Sequence, residues 1–227
     1  QTLKYEIISE TDVAVGKQER SSRRISFRSM NGIVSRDTVY SRAAGDVTIP
    51  SEVTFEGKTY KVTSIGVYAF SECTDLTSIT IPNSVTTIGE TAFKYCTSLT
   101  TITIPSSVTT IGEYAFWYCS GLTTITIPNS VTKISEAAFR ECTGLTSITI
   151  PNSVTTIGDF AFARCAGLTS VSIPNSVTTI GEAAFASCKG LTSVTIPNSV
   201  TEIGMRAFAY CENLKSINVA KDNSHYC

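Results

Sequence analysis

A single histidine, His225, stands near the end of the 227 residues. Mechanisms that need a central imidazole as base or metal ligand are therefore poorly supported. Charge is also scarce: charged residues make up 16% of the chain and the net charge is -1. Nothing points globally to nucleic acid or to an anionic membrane surface. No apolar run approaches the ~20 residues that a membrane-spanning helix needs, so direct membrane insertion is not expected. The first residue is Gln1, and no signal-like stretch follows. That is the pattern of a processed or trimmed chain whose targeting segment is gone. Apolar residues are plentiful at 42%, enough for a substantial core.

Those apolar residues are periodic. From Leu76 the chain reads LTSITIPNSVTTIGETAFKYCTS, and it restarts at Leu99, Leu122, Leu145, Leu168, Leu191 and Leu214, always at the same interval. The register extends back through Val47, Ile49 and Pro50, then Ile65, Gly66, Ala69, Phe70 and Cys73. Between these pieces lies EVTFEGKTYKVT, whose alternation around Gly57 predicts a hairpin. Self-similarity at such a period, ~23 residues, signals a solenoid.

Within a repeat, L-T-x-I-x-I ends in the alternation of a strand. Pro-Asn-Ser breaks it, because Pro donates nothing to a ladder and Asn and Ser favour turns. V-T-x-I predicts a second short extended piece. Gly turns the chain, an acid follows in most copies, and A-F-x-x-C predicts a turn or two of helix. About eight apolar side chains per unit face inward and are buried only when units stack. The expected class is α/β: a solenoid of strand, turn, short extended piece and short helix.

The repeated LTxIxIPxSVTxIGxxAFxxC over roughly 47–219 resembles the BspA-like leucine-rich repeats, named for bacterial surface antigens. The resemblance implies a curved leucine-rich-repeat solenoid with a parallel concave sheet. It implies an extracellular or cell-surface, secreted setting, in anaerobic bacteria and some parasitic protists. It also implies adhesion, with a protein or glycan partner that includes host matrix. The motif itself is structural, so no ligand residues carry over.

Seven cysteines, Cys73 to Cys211, share one repeat position, and Cys227 stands apart. Zinc needs ~4 ligands converging on a point, and a linear ladder does not converge. A disulfide needs Cα atoms about 4.4–6.8 Å apart. Helical segments of neighbouring repeats are expected at roughly 8–10 Å, although tighter 3₁₀ turns would bring the rungs closer and allow some bridges. A nucleophile needs a base, and no rung carries a His. Buried core thiols are the expectation. The acids Glu90, Glu113, Glu136, Asp159 and Glu182 form no calcium-loop pattern and are read as favouring helix starts. No pair of carboxylates is singled out for glycoside hydrolysis. No cofactor, metal or enzymatic activity is expected.

Two surfaces remain as recognition candidates. Strand positions three and five are Ser or Thr in every full repeat, as in Thr101 and Thr103 or Thr124 and Thr126. They predict parallel hydroxyl rows: an array for a carbohydrate or even ice, or simply good strand formers on a solvated face. Positions 16, 19 and 20 vary freely, and a helix would put them on one outer face. There Lys94, Tyr95, Tyr114, Trp117, Tyr118 and Arg140 form an aromatic and cationic cluster. Aromatics of this kind are enriched in interface hot spots. The copies with Ala183, Ala186 and Ser187 read as bland.

Residues 1–46 lie outside the repeat. LKYEII reads as a strand, and Asn31-Gly32 marks a hairpin between RISFRSM and IVSRDTVYS. The expectation is a β-rich cap over 1–46, followed by the solenoid over 47–227 with its last repeat incomplete and no C-terminal cap evident. The basic residues Arg20, Arg23, Arg24, Arg28, Arg36 and Arg42 are either an anionic-glycan patch or charge protecting an edge strand. The functional expectation is a non-catalytic binding or adhesion module. The alternative is a structural spacer or self-associating surface component. The sequence leaves the oligomeric state open.

Overall fold

A computed structural model describes residues 5–7, 12–16, 27–29, 32–34 and 43–226. Seven strands lead into the repeats: β1 (Tyr5–Ile7), β2 (Asp12–Val15), β3 (Phe27–Ser29), β4 (Gly32–Val34), β5 (Gly45–Thr48), β6 (Glu52–Phe55) and β7 (Lys58–Ile65). β3 and β4 pair antiparallel, with Ser29 opposite Gly32; Asn31 of the expected hairpin lies outside the described residues. β6 and β7 form the hairpin expected around Gly57. Glu56 and Gly57 both have positive φ, 49° and 75°. Two left-handed central residues match the right-handed twist of the flanking strands.

Each repeat then contributes two short strands, and each stacks in parallel on its counterpart one repeat away. Thr101, Ile102 and Thr103 stand opposite Ser78, Ile79 and Thr80 on one side and Thr124, Ile125 and Thr126 on the other. The second set runs through Thr87–Ile88 and Thr110–Ile111. β5 opens the first sheet by pairing with Leu76–Thr80. β2 opens the second by pairing with β7, with Val13 and Val15 buried.

The core is the same set of side chains in every turn. In the repeat around Phe139, the residues Leu122, Ile125, Ile127, Val131, Ile134, Ala138, Phe139 and Cys142 are all buried. The phenylalanines stack as a column from Phe70 to Phe208, with neighbouring ring centroids 5.2–5.4 Å apart and planes within 12° of parallel. Full burial of one such side chain is worth about 1.5–3 kcal/mol.

The expected short helix is not there: A-F-x-x-C is a run of turns, and no described residue is helical. The α/β assignment therefore gives way to a β-solenoid. The physical reason lies at positions 16 and 20. Thr91 and Tyr95 have φ of 52° and 61°, and every later copy repeats both left-handed residues, down to Arg206 and Tyr210. A right-handed helix cannot pass through them. Backbone bonds then alternate. Ala92, Lys94 and Cys96 donate back three residues, whereas Thr91, Phe93 and Tyr95 donate to Glu113, Ala115 and Trp117 of the next repeat. The turn is thus a third ladder, at strand-like spacing rather than at the roughly 8–10 Å of packed helices. The acids have no helix start to favour; Asp159 instead accepts the Glu182 amide.

The C-terminal segment continues the stack at the repeat interval, with Ser216–Val219 in parallel beside Ser193–Ile196. The Asn223 side-chain amide donates to the Pro197 and Val200 carbonyls, and Tyr226 Oη accepts the Ile203 amide at 2.9 Å. The basic positions Arg20, Arg23, Arg24, Arg36 and Arg42 lie outside the described residues, and the Arg28 side chain is likewise not described.

Candidate functional site

Stacked turns carry each outer repeat position into a column. Position 19 runs Lys94, Trp117, Arg140 through three consecutive repeats. The Lys94 ammonium lies over the Trp117 ring, 4.2 Å from its centroid, and the Arg140 guanidinium lies 5.6 Å from it. Since the cations come from the rungs before and after, the indole is held in a cation–ring–cation stack. Each such contact is worth about 0.5–1 kcal/mol at a partly exposed site. Position 20 brings Tyr95 against Tyr118 at 5.0 Å between centroids, and Tyr95 also meets Trp117 at 5.7 Å. Tyr114 packs on Trp117 at 5.6 Å, and its hydroxyl donates to Glu136 Oε1 at 2.5 Å. That bond to a carboxylate raises the phenol pKa above its ordinary value.

All six residues singled out by sequence are therefore contiguous, through columns rather than through one face of a helix. Tyr118 is exposed, while Lys94, Tyr95, Tyr114, Trp117 and Arg140 are half-buried. Trp117 is more deeply set than an outward-pointing side chain would be, and its Nε1 is buried without an acceptor among the described residues. Arg140 continues the surface by lying over Phe160 at 5.5 Å. Phe160 escaped the sequence grouping, although it holds the repeat position of Tyr114 two copies further on and of Ala183 one copy earlier.

The strand surface is different in kind. Thr103, Thr126 and Thr149 are exposed and in register. A groove of about 690 Å³ runs beside them over Pro128, Asn129, Pro151, Asn152, Pro174 and Asn175. Three successive repeats give it identical chemistry, which suits a periodic ligand better than a particular protein.

The thiols form the remaining column. Cys96 Sγ–H donates to the Phe70 carbonyl at 3.1 Å, and Cys119 through Cys211 make the same bond one repeat on. Rungs at 5.2–5.4 Å remove the distance argument against bridges between neighbours, yet the six thiols from Cys96 to Cys211 are free. Burial pushes the Cys142 thiol up to about 12 and the Cys119 and Cys165 thiols well above their ordinary value.

This is the architecture of a leucine-rich-repeat solenoid. The model of the BspA type leucine rich repeat region matches residues 51–165 and 111–226, and the chain belongs to that family. Among solved structures, it is similar to the leucine-rich repeat protein of T. pallidum, with a TM-score of 0.75 and 26% identity over 94% of this chain and 88% of that one. A leucine-rich repeat protein from Bacteroides ovatus matches at 25% identity over 97% and 70% of the two chains, with a TM-score of 0.47. The pneumococcal vaccine antigen PcpA matches at 26% identity over 80% and 42%, with a TM-score of 0.46. No curated protein sequence matches the chain. Leucine-rich repeat proteins are generally protein-interaction modules, and the repeat architecture here is of that kind.

Proposed function

We propose that this chain is a non-catalytic adhesion module of the cell surface or extracellular space, and that it binds its partner through the outer turn ladder. The observation that carries this reading is the Lys94–Trp117–Arg140 stack with Tyr95, Tyr114 and Tyr118 around it. Rings already held by neighbours lose little side-chain entropy on binding, and they offer both apolar area and polar edges. The partner is a protein or glycan such as host matrix; nucleic acid, cofactors and membrane insertion have no part in it. Family membership supports the surface location, and no helix among the described residues is long and apolar enough to cross a membrane.

The test uses a ligand found by matrix-protein pull-down or glycan array and compares two variants. Trp117→Ala is expected to weaken binding by about 2 kcal/mol or more, as a hot-spot residue does. A triple variant, Thr103→Lys, Thr126→Lys and Thr149→Lys, blocks the strand surface and is expected to bind normally. Loss in the Lys variant alone moves recognition to the strand surface. Full binding by both places recognition on neither surface, and failure to find any ligand leaves the spacer reading, in which the columns serve only cohesion.

A further inference from the structure

The repeat that reads as bland is the floor of a hollow. Ala183 and Ser187 are small where the flanking repeats are large, and Ala186 lies between them on the floor. Phe160 and Arg164 stand on one side, and Arg206 and Tyr210 on the other. The space between is about 230 Å³, with Ala163 and Ala209 completing the base. That is below the ~300–1,000 Å³ of ordinary small-molecule sites and suits a single inserted side chain. The floor is methyl groups and each wall carries one aromatic ring, Phe160 or Tyr210, beside an arginine, so the group that reaches the floor is apolar.

Charge at the rim sets the flanks of that group. Arg140 and Arg164 share one carboxylate, Glu141, at 3.5 and 3.3 Å. Arg206 is exposed and has no ion-pair partner among the described residues. With Glu182 also on the rim, three cations face two anions.

The geometry points to a peptide subsite in which repeats 4 to 6, starting at Leu145, Leu168 and Leu191, take one apolar side chain flanked by carboxylates from an acidic segment of a protein partner. The inference rests on the outer face being the recognition surface, and it names the chemistry recognised beyond Arg140. A sulfated glycan would answer the arginines but leave the methyl floor unfilled.

The experiment is methyl NMR on the full chain with ¹³C-methyl alanine. Four probes are titrated: a synthetic peptide with one Phe between paired Glu residues, its Lys-flanked counterpart, the Glu peptide with Gly for Phe, and a sulfated disaccharide. The Glu–Phe peptide is expected to shift the Ala183, Ala186 and Ala209 methyls saturably, and the other three to shift them at least about tenfold more weakly. Ala186→Trp, a residue the same position already holds in Trp117, is expected to fill the hollow and abolish the shifts. Arg206→Ala, matching Ala183 at its position, is expected to weaken them about tenfold, the scale of a lost charge-assisted bond. Silent alanines at millimolar peptide, equal shifts with the Lys peptide, or stronger shifts with the disaccharide each overturn the subsite. Silent alanines with a change in the fluorescence of Trp117, the chain's single tryptophan, leave the outer-face reading standing while the hollow falls. Shifted alanines, together with ligand binding that survives Trp117→Ala, do the reverse.

Discussion

The Ser135 hydroxyl donates to the Ile111 carbonyl at 2.5 Å, in place of a backbone amide. In neighbouring repeats the donor is glycine: Gly112 N reaches Ile88 O at 2.9 Å and Gly158 N reaches Ile134 O at 2.8 Å. A Cβ on Gly112 would come within 2.5 Å of the Glu90 amide nitrogen. Ser135 carries that Cβ, so its turn stands off and Thr110–Ile111 does not pair with Lys133–Ile134. Hydrogen exchange checks this seam. The Thr132 and Ser135 amides are expected to exchange on the order of tenfold or more faster than those of Thr155 and Gly158. Ser135→Gly is expected to restore the protection. Equal rates in the unmodified chain would mean that the sheet is continuous.

A second prediction turns on a sign. Ser187 has a φ of 59°. In a helix, Ser187→Gly loses about 0.5 kcal/mol, because glycine is the poorer helix former. In the left-handed region a side chain costs about 1–2 kcal/mol, against about 0.5–1 kcal/mol of chain entropy for glycine. Ser187→Gly is therefore expected to raise stability by about 0.5–1 kcal/mol in denaturant unfolding. A loss would return the turn to a helix.

That residue also marks where the sequence stops being legible. The period, the two strands and the inward positions follow from Leu76 onward, because burial recurs once per repeat and apolar spacing records burial. The left-handed residues leave no such record. They include Thr91, Tyr95, Tyr114, Phe160 and Arg164, and none is the glycine or asparagine that favours positive φ. The inter-repeat bonds from their amides hold them there, and those bonds exist only once the turns stack. The candidate patch is legible for a different reason: columns join equivalent positions of successive repeats, so Lys94, Trp117 and Arg140 meet whether or not a helix forms. The hollow escapes the sequence because Ala183 and Ser187 matter through what they lack.

The faces can be separated by stability. Phe139 is fully buried between Phe116 and Phe162, with ring centroids 5.4 Å away on both sides. Phe139→Ala is expected to cost about 3–5 kcal/mol through lost transfer energy and a cavity. Thr126→Ala, on the exposed strand surface, is expected to cost under about 1 kcal/mol. Trp117→Ala falls between them, at about 1–2 kcal/mol, because two cation contacts go with the indole. Equal losses at Phe139 and Thr126 would show that the faces are misassigned.

The thiol column makes stability depend on alkaline pH. An unfolded cysteine loses its proton near pH ~8.5, whereas burial holds the proton on Cys142 up to about 12. Between those values the folded chain binds more protons than the unfolded one. Stability is therefore fully present below pH ~8.5 and falls as pH rises, by about 1.4 kcal/mol per buried thiol for each pH unit. Cys119 and Cys165 are raised in the same direction for the same reason, so the slopes add. Lysines and tyrosines titrate in this range too, which makes the difference between two chains the informative quantity. Cys142→Ala lowers the whole curve through its cavity, but it is expected to flatten the slope between about pH 9 and 11 by about one thiol's share. Thiol reagents give an independent reading. Among the described thiols, Cys211 is half-exposed and is expected to react first, with Cys96 to Cys188 reacting fast only after unfolding. A native mass with disulfides, or an unchanged slope in Cys142→Ala, would mean that the column is not a stack of buried, protonated thiols.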